Sequence, residues 1–212
     1  MAARMAKKKN ILRRWDISLM ELTVLLDDNP SLRGMLFGYV AEHHLRQLLK
    51  RSREVTDISK KDDHDRKKKG DLIVTYKGRG FKLECKSLQT NSIRQVGDVF
   101  MGKVQCDASD RRTVTLANGA TLEKTCLLAG EFDILAVNLH AIRDDWHFIF
   151  AKNVDLPRSR YKQYTEQQRS QLLATLIEVS WPPQRPFRDE PFSLLEEMLT
   201  TSSASASSPS GS

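Results

Sequence analysis

The sequence feature that most constrains the fold is the stretch GDLIVTYKGRGFKLECKSL at residues 70–88. Residues 71–76 and 81–88 alternate apolar and polar side chains with the period of a β-strand, and the glycine-containing segment 78–80 lies between them. The pattern predicts two strands joined by a tight turn. We therefore expect the fold to contain a β-sheet that includes this hairpin.

The second strand of the hairpin carries charge on one face. Because side chains alternate along a strand, two sets are expected on opposite faces: Phe81, Leu83 and Cys85 on one, and Lys82, Glu84 and Lys86 on the other. Contact with water is the usual reason for a charged face. Asp71 begins the first strand, however, and antiparallel pairing would bring it close to Glu84 and Lys86. The charged face is therefore a candidate functional site.

The pairing of Asp71 with Glu84 indicates a metal ion. Two carboxylates that approach each other repel unless a cation joins them. Oxygen ligands favour hard cations, so these two side chains predict a site for Mg²⁺ or Mn²⁺. Lys86 lies on the same strand face as Glu84. Its ammonium group would position and help to deprotonate a water molecule, or stabilise charge that develops in a reaction.

A third carboxylate, Glu42, lies on a helix predicted over residues 30–51. The predicted apolar stripe of this helix consists of Met35, Gly38, Leu45 and Leu49. Glu42 falls on the same stripe, and a carboxylate that faces a core is costly unless it is paired or binds a metal ion. The alternative to a metal site is a salt bridge with Arg46, one helical turn further along.

Asp71, twelve intervening residues and then Glu84-Cys85-Lys86 resemble a known motif. It is the (P)D-x(n)-(D/E)-x-K signature of the restriction-endonuclease-like nuclease superfamily. Gly70 stands where the motif often has proline, which is a common departure.

Members of this superfamily also have a preceding helix that supplies a glutamate, and Glu42 resembles that residue. The resemblance covers about residues 30–150. It implies a mixed α+β fold of the α/β type, with a restriction-endonuclease-like core in which a central mixed β-sheet is flanked by helices. The sequence adds an extra β-hairpin to that core.

The resemblance also implies a role for each matched position. Asp71, Glu84 and the backbone carbonyl of Cys85 would bind the divalent metal ion. Lys86 would orient the attacking water, and Glu42 would assist the metal site directly or through water. The implied activity is that of a Mg²⁺-dependent endodeoxyribonuclease, which hydrolyses phosphodiester bonds in DNA. By analogy, such an enzyme would act in restriction, phage defence or DNA repair.

Gln105 is a further catalytic candidate on a predicted third strand. Superfamily members often have a polar residue there that contacts the site, and a satisfied polar residue at a strand edge is the alternative. Asp107 follows in the same segment and is more typical of a turn than of a metal ligand. Many members dimerise to cut two strands, so a homodimer is a further expectation.

The basic composition indicates a polyanionic partner. The net charge is +7 and the isoelectric point is about 9.4, which suits DNA because each neutralised phosphate releases a counterion. Six residues are expected to contact its phosphates: Lys67, Lys68, Lys69, Lys82, Arg111 and Arg112. Two alternatives stay open: a nucleic-acid-binding module on the same fold that lacks catalysis, and an RNA nuclease that uses the same site.

The order of predicted elements is helices, then strands, then helices. Besides those above, we predict a helix at 15–27, a loop at 58–69, hairpins at 113–128 and 132–151, a helix at 165–178 and a short helix at 191–200. We expect a basic arm at residues 1–10, one nuclease domain at 11–199 and a disordered serine-rich tail at 200–212.

The cysteines and the apolar runs bear on the cellular compartment. Cys85, Cys106 and Cys126 are odd in number and lack CxxC spacing, which indicates reduced thiols. No apolar run approaches the roughly 18 residues that a membrane helix needs, and no signal-peptide pattern follows the N-terminus. These features predict a cytoplasmic protein that does not enter membranes.

Overall fold

The computed structural model of the chain describes residues 10–60 and 71–206. The chain divides into two compact units, Met1–Val40 and Ala41–Ser212. Most of the predicted basic arm lies outside the described residues, as do Lys67, Lys68 and Lys69.

The described part of the first unit is helical. Its elements are α1 (Ile11–Trp15), α2 (Leu19–Asp28) and the first half of α3 (Pro30–Leu49). The prediction of a single helix at 15–27 is wrong at its start. Asp16 adopts a left-handed backbone conformation (φ 54°) that ends α1, and the capping box between Ser18 and Glu21 begins α2.

The second unit contains the rest of α3 and the strands. Its described strands are β1 (Val55–Lys60), β2 (Leu72–Tyr76), β3 (Arg79–Ser87), β4 (Arg94–Val96), β5 (Val99–Gln105), β6 (Asp107–Thr115), β7 (Thr121–Cys126), β8 (Ile134–Asn138), β9 (Phe148–Lys152) and β10 (Leu176–Trp181). Its further α-helices in the same part of the chain are α4 (His140–Arg143), α5 (Glu166–Gln171) and α6 (Phe192–Ala206).

Three sheets organise these strands. The central sheet has five strands in the order β1-β2-β3-β8-β9, a second sheet has the order β10-β5-β4, and β6 pairs with β7. The central sheet is mixed, because β3 and β8 run parallel while its other neighbours are antiparallel. The predicted class, a mixed α+β fold with a central mixed sheet, flanking helices and an extra β-hairpin, is confirmed.

The hairpin of β2 and β3 is tighter than predicted. Tyr76 pairs with Arg79, so the turn consists of Lys77 and Gly78 rather than residues 78–80. Both turn residues have positive φ, 47° and 79°, as a two-residue type I′ turn requires. The turn fixes which residues of the two strands lie opposite each other.

Two further strand pairs match their predictions. β6 and β7 form an antiparallel hairpin around Asn118-Gly119, where Gly119 has a φ of 82°. β8 and β9 are antiparallel neighbours within the predicted hairpin at 132–151. The predicted loop at 58–69 is strand up to Lys60.

The predicted helix at 165–178 is wrong over its second half. α5 ends at Gln171, and β10 then pairs with β5, placing Ile177 opposite Val104 and Val179 opposite Gly102. Burial alternates over the first four residues of β10, which is the period of a strand. Pairing with β5 therefore overrides the local helical signal.

Two buried layers cover the central sheet. On one face, Leu45 and Leu49 of α3 and Leu194 and Leu195 of α6 pack against Leu72, Val74, Phe81 and Leu83. On the other face, Val104, Ile177 and Val179 of the three-stranded sheet pack with Leu135, Val137 and Ile149. β8 is buried along its whole length, as expected of a central strand covered on both sides.

The last helix reaches further than predicted. α6 continues through Ala206, into the segment that was expected to form the tail. Among the helices that the structure describes, none combines the length and the apolar character needed to cross a membrane.

Candidate active site

The hairpin brings Asp71 beside the charged face of β3. The backbone N–H of Asp71 donates to the Leu83 carbonyl at 2.9 Å, which continues the strand pairing beyond the first residue of β2. The Asp71 carboxylate accepts a hydrogen bond from the backbone N–H of Cys85 at 2.8 Å. Asp71 therefore lies at the level of Glu84 and Lys86, as the sequence pattern predicted.

Glu84 and Lys86 form an ion pair on one face of β3. The Nζ atom of Lys86 lies 2.9 Å from Oε1 of Glu84, and their side chains are only 21% and 9% exposed. Glu84 lies opposite Leu135 of the neighbouring strand β8, whose residues are all buried. Burying a charge pair there is costly, so the pair requires an explanation beyond strand stability.

Burial raises the pKa of the Glu84 carboxyl to about 7. The ammonium group of Lys86 opposes this rise, and the Asp71 carboxylate adds to it. Among the described residues, the carboxylates of Asp71 and Glu84 thus both act on the ammonium group of Lys86. A further positive charge here would favour the ionised form of Glu84.

Lys86 remains cationic in this environment. Burial lowers the pKa of its ammonium group, but the carboxylates of Glu84 and Asp71 outweigh burial and hold that pKa above its ordinary value. A lysine that keeps its proton can donate hydrogen bonds but cannot accept a proton. Of the two roles predicted for Lys86, positioning a water and stabilising developing charge fit better than deprotonation.

The donor set of the site fits a hard divalent cation. Within residues 10–60 and 71–206, no group of three or more His, Cys, Asp or Glu side chains is arranged to hold a metal ion. Mg²⁺, however, is commonly held by one or two carboxylates, with water and substrate phosphate completing the octahedron. Asp71 and Glu84 meet that requirement, and a cation bound there would favour the ionised form of Glu84 against the effect of burial.

Cys85 contributes its backbone rather than its thiol. Its side chain packs with the apolar cluster on the helical side of the sheet, as the alternation predicted. Burial, followed by the carboxylates of Asp71 and Glu42, raises the pKa of the thiol well above its ordinary value. A protonated thiol is a poor metal ligand. The Cys85 carbonyl as a metal ligand stays a prediction.

Glu42 is paired with a residue that the sequence did not indicate. Its carboxylate lies 2.8 Å from Nζ of Lys60, at the end of β1, and the two side chains are 13% and 24% exposed. The salt bridge considered from the sequence was with Arg46. Glu42 also acts electrostatically on Cys85, which places it close to β3 on the helical side. Its role at the metal site stays a prediction.

The stripe on which Glu42 was placed is shorter than predicted. Ala41, Leu45 and Leu49 are the residues of α3 that are buried, whereas Met35 is 63% exposed. Glu42 flanks the buried part, three residues before Leu45.

Gln105 lies in a chain of polar side chains at the end of β5. Its carbonyl oxygen accepts from the Gln89 amide at 3.1 Å, and its own amide donates to the Asp107 carboxylate at 3.1 Å. The neighbouring thiol of Cys106 has its pKa raised to about 12, first by burial, and the charges of Lys86 and Glu84 act on the same thiol. Cys106, the residue after β5, is therefore within electrostatic reach of Lys86 and Glu84, whereas Gln105 itself is exposed.

The expected phosphate contacts divide into three groups. Lys67, Lys68 and Lys69 lie outside the described residues. Lys82 and Arg111 have exposed side chains. Arg112 is engaged within the protein, because its guanidinium binds the Glu131 carboxylate and donates to the Cys126 carbonyl at 2.7 Å. Arg112 thus links the β6–β7 hairpin to the loop before β8.

Sequence reasoning did not find Lys60, Gln89 or Asp107 as neighbours of the candidate residues. Lys60 was assigned to a charged loop, and only its place at the end of β1 brings it to Glu42. Asp107 was assigned to a turn, and it begins β6 instead. The contacts of Lys60 with Glu42 and of Gln89 with Gln105 join elements that are distant along the chain, so no spacing in the sequence indicates them. Asp107 is only two residues from Gln105, but its assignment to a turn concealed the contact.

Comparisons with known proteins add little to what the geometry of the site shows. No family model and no curated protein matches the chain. Among solved structures, a bacterial homing endonuclease matches with 18% sequence identity and a TM-score of 0.35, over 65% of this chain and 87% of the other. This likeness is too slight to indicate a function for this chain. Its function must be inferred from Asp71, Glu84 and Lys86.

Proposed function

We propose that the protein is a metal-dependent endonuclease of the restriction-endonuclease-like type that hydrolyses phosphodiester bonds in DNA. One observation carries the proposal: Asp71, Glu84 and Lys86 converge at one place on the central sheet, where a buried carboxylate has its pKa raised to about 7 beside a second carboxylate. Perturbed carboxyl groups of this kind concentrate at functional sites.

The Asp71 and Glu84 carboxylates would hold Mg²⁺ or Mn²⁺ in this proposal. When bound, such a cation polarises the phosphate and lowers the pKa of a coordinated water. Lys86 keeps its proton and donates hydrogen bonds, so it orients the attacking water and stabilises charge on the phosphate oxygens. In the reaction, the water oxygen would form a bond to phosphorus as the bond from phosphorus to the leaving oxygen breaks, and the proton that the water loses would pass through solvent to the leaving oxygen.

Two neighbouring groups support this core. Glu42, held by Lys60, adds a carboxylate on the helical side of the sheet and would assist the metal site directly or through water. Gln105, held between Gln89 and Asp107, presents an amide at the end of β5. Both are proposed as positioning residues.

DNA is proposed as the substrate because of the charge of the chain. The net charge of +7 favours a polyanion, and exposed Lys82 and Arg111 are available to contact phosphates. Contacts with phosphates raise the affinity for DNA but do not select a base sequence.

The decisive experiment is a cleavage panel. The full chain is incubated with supercoiled plasmid, linear duplex, single-stranded DNA, a branched junction and matched RNA, each in Mg²⁺, in Mn²⁺ and in EDTA. We expect cleavage of DNA in either metal and none in EDTA. Glu84→Gln should abolish it, whereas Glu178→Gln, which changes an exposed glutamate on β10, should leave it intact.

The panel also separates the alternative functions. DNA binding without cleavage in either metal indicates a non-catalytic module. Cleavage confined to RNA indicates an RNA nuclease on the same site. Cleavage that survives both Glu84→Gln and Lys86→Met means that the chemistry lies elsewhere in the chain.

A further inference from the structure

A cavity of about 700 Å³ lies in the second unit, and none of Asp71, Glu84 and Lys86 lines it. Its walls come from the segment after β9, from the start of β10 and from the loop that follows β10, within residues 155–161, 174–178 and 186–187. Binding sites for small ligands commonly have volumes of roughly 300–1,000 Å³. The cavity is therefore large enough to hold a ligand.

Exposed apolar side chains are concentrated around this cavity. Tyr161 and Leu176 line it and are 49% and 52% exposed. In the described part of the second unit, only Val96 and Val154 join them as large hydrophobic side chains that are exposed. Val154 directly precedes Asp155, which is a lining residue. Three of the four exposed side chains thus lie at the cavity or beside it, as is typical of a binding surface.

The ring of Tyr161 is held in place by the protein. It packs edge-to-face against the buried ring of Tyr164, with 5.0 Å between the ring centroids. Its hydroxyl donates to the side-chain oxygen of Gln163 at 2.7 Å. An aromatic ring that is fixed and half exposed offers a platform for a nucleobase, because every base has a π face that can stack.

Arginines give this region a positive surplus. A second cavity of about 470 Å³ shares Asp155 and Pro186 with the first and adds two arginines. Together, the two cavities are lined by four arginines and two carboxylates: Arg158, Arg160, Arg185, Arg188, Asp155 and Glu178. Guanidinium groups bind phosphate oxygens through paired hydrogen bonds, so the surplus suits a phosphate.

Two of the four arginines are already bound within the protein. The guanidinium of Arg158 donates to three backbone carbonyls between residues 153 and 156, and that of Arg188 lies 2.6 Å from a carboxylate of α6. Arg160 and Arg185 are exposed, and their side chains make no hydrogen bond or ion pair within residues 10–60 and 71–206. These two guanidinium groups are therefore available to a ligand.

The two lining carboxylates have cations beside them. Nζ of Lys152 lies 3.6 Å from Asp155, and the guanidinium of Arg94 lies 3.6 Å from Glu178. Among the described residues at the cavity, the charges of Arg160 and Arg185 are thus left without an acidic partner.

A nucleotide is the class of ligand that uses both features of the cavity. An inorganic anion would not need Tyr161 and Leu176, and an apolar compound would not need Arg160 and Arg185. A nucleotide has a base that can stack on an aromatic ring and a phosphate that can bind arginine. Bases inside a duplex stack on one another, so the nucleotide must be unpaired to offer its face to Tyr161.

The cavity adjoins the end of β5. Leu176 lies opposite Gln105, and the carbonyl of Thr175, another lining residue, accepts from the backbone N–H of Cys106 at 2.8 Å. Cys106 is within electrostatic reach of Lys86. The cavity therefore lies on the same strand pair as a residue that is close to the candidate active site.

We infer that this cavity binds an unpaired nucleotide of a single-stranded DNA segment, with its base against Tyr161 and Leu176 and the phosphates on Arg160 and Arg185. The chain should therefore prefer DNA that contains a single-stranded segment to a fully paired duplex. The inference rests on the proposal that the chain acts on DNA, but it does not require cleavage.

The test is fluorescence anisotropy of the full chain in EDTA, with a labelled single-stranded oligothymidylate and a blunt duplex of the same length. We expect the single strand to bind more tightly. Tyr161→Ala should weaken single-strand binding by about fivefold to a hundredfold, the range for the loss of one stacked base, and leave duplex binding unchanged. Arg160→Gln should also weaken single-strand binding and reduce its salt dependence by about 0.7, the value for one phosphate of a single strand.

Two further variants separate stacking from a structural role. Tyr161→Phe keeps the ring and should bind the single strand as the wild type does. Val96→Ala truncates a side chain on β4 that is 62% exposed and does not line the cavity, so it should change neither affinity. Circular dichroism checks that Tyr161→Ala is folded. If it is not, Arg160→Gln tests the inference, because its change is confined to an exposed side chain.

Equal affinity of the wild type for single strand and duplex overturns the inference, as does single-strand binding that survives both Tyr161→Ala and Arg160→Gln. Tighter binding of oligouridylate would assign the cavity to RNA, and displacement of the oligonucleotide by an equal concentration of thymidine monophosphate would assign it to a free nucleotide. Either result also overturns it. Failure of the nuclease proposal differs, because a chain that never cleaves DNA would still prefer the single strand, and Glu84→Gln should keep that preference.

Discussion

Two ion pairs in the second unit have similar burial and different surroundings. Glu84 and Lys86 lie on β3, with side chains 9% and 21% exposed. Glu131 and Arg112 link the loop before β8 to β6, with side chains 7% and 15% exposed. Burial alone therefore does not distinguish a functional pair from a structural one.

Hydrogen bonding distinguishes the two pairs. The Glu131 carboxylate accepts from two nitrogens of Arg112 and from the Leu128 backbone N–H, and Arg112 donates to the Cys126 carbonyl. These bonds satisfy the Glu131 carboxylate, while the Nε atom of Arg112 is buried without a hydrogen-bond partner among the described residues. Glu84 instead shares its cation with the neighbouring carboxylate of Asp71. Burial raises the pKa of Glu84 to about 7, and the carboxylates of Asp71 and Glu131 add to that rise.

An excess of one charge therefore distinguishes a functional ion pair better than burial does. A balanced pair holds two elements together. A pair with an additional carboxylate can still gain from binding a cation. Mutation of the Glu84–Lys86 pair should therefore mainly reduce cleavage, whereas mutation of the Glu131–Arg112 pair should mainly reduce stability.

The largest expected effect is on catalysis at the β3 pair. Lys86→Met removes the hydrogen-bond donor and keeps the length of the side chain. We expect cleavage to fall about a hundredfold to ten-thousandfold, the range for losing one acid–base or electrostatic group. Single-turnover cleavage of plasmid DNA measures the effect. Lys103→Met, an exposed lysine on β5, is the matched control. Equal rates for the two variants would show that Lys86 is a structural residue.

The second effect is on stability at the hairpin pair. Arg112→Ala leaves the Glu131 carboxylate buried and without its cation, and breaking a buried pair costs about 3–5 kcal/mol. Urea unfolding followed by circular dichroism measures the loss. Cleavage per folded molecule should be unchanged. If Arg112→Ala instead lowers the cleavage rate of the folded protein, the division into a functional and a structural pair is wrong.

The third effect is a difference in how the free energy of unfolding depends on pH. The pKa of Glu84 is raised from 4.5 to about 7 in the folded protein, so the folded state retains a proton that the unfolded state has lost. The stability from this group is full below the ordinary pKa and is lost as pH rises through about 7. In EDTA, the free energy of unfolding should fall more steeply with pH in the wild type than in Glu84→Gln.

If the free energy of unfolding falls equally steeply with pH in the wild type and in Glu84→Gln, the raised pKa does not belong to Glu84. Adding Mg²⁺ sharpens the test, because a bound cation favours the ionised carboxylate. The wild-type slope should then flatten, and the slope of Glu84→Gln should not change.

The smallest effect concerns the neighbour of Arg112. Arg111 is exposed, so Arg111→Ala should change the free energy of unfolding by no more than about 0.5 kcal/mol. If Arg111 contacts a phosphate, DNA affinity should fall uniformly across sequences and the salt dependence of binding should decrease by about one counterion. Fluorescence anisotropy over a salt series measures both. An unchanged salt dependence would remove Arg111 from the DNA-binding surface.

The convergence at the site was readable from the sequence because it depends on local rules. The period of two places Glu84 and Lys86 on one face, and a hairpin returns the chain to Asp71. The contact between Glu42 and Lys60 was not readable, because it depends on how a helix packs beside a distant strand. The same limit explains β10, whose partner strand lies more than seventy residues earlier.

The two-residue turn at Lys77-Gly78 gives the spacing of the motif a geometric meaning. Asp71 stands six residues before the first turn residue, and Glu84 stands six residues after the second. The twelve intervening residues are thus two five-residue arms and the turn. One added residue in either arm would rotate a carboxylate to the opposite face, and two added to the same arm would move it about 7 Å along the strand. The equal length of the two arms, more than the length of the interval, is what a homologous chain must retain.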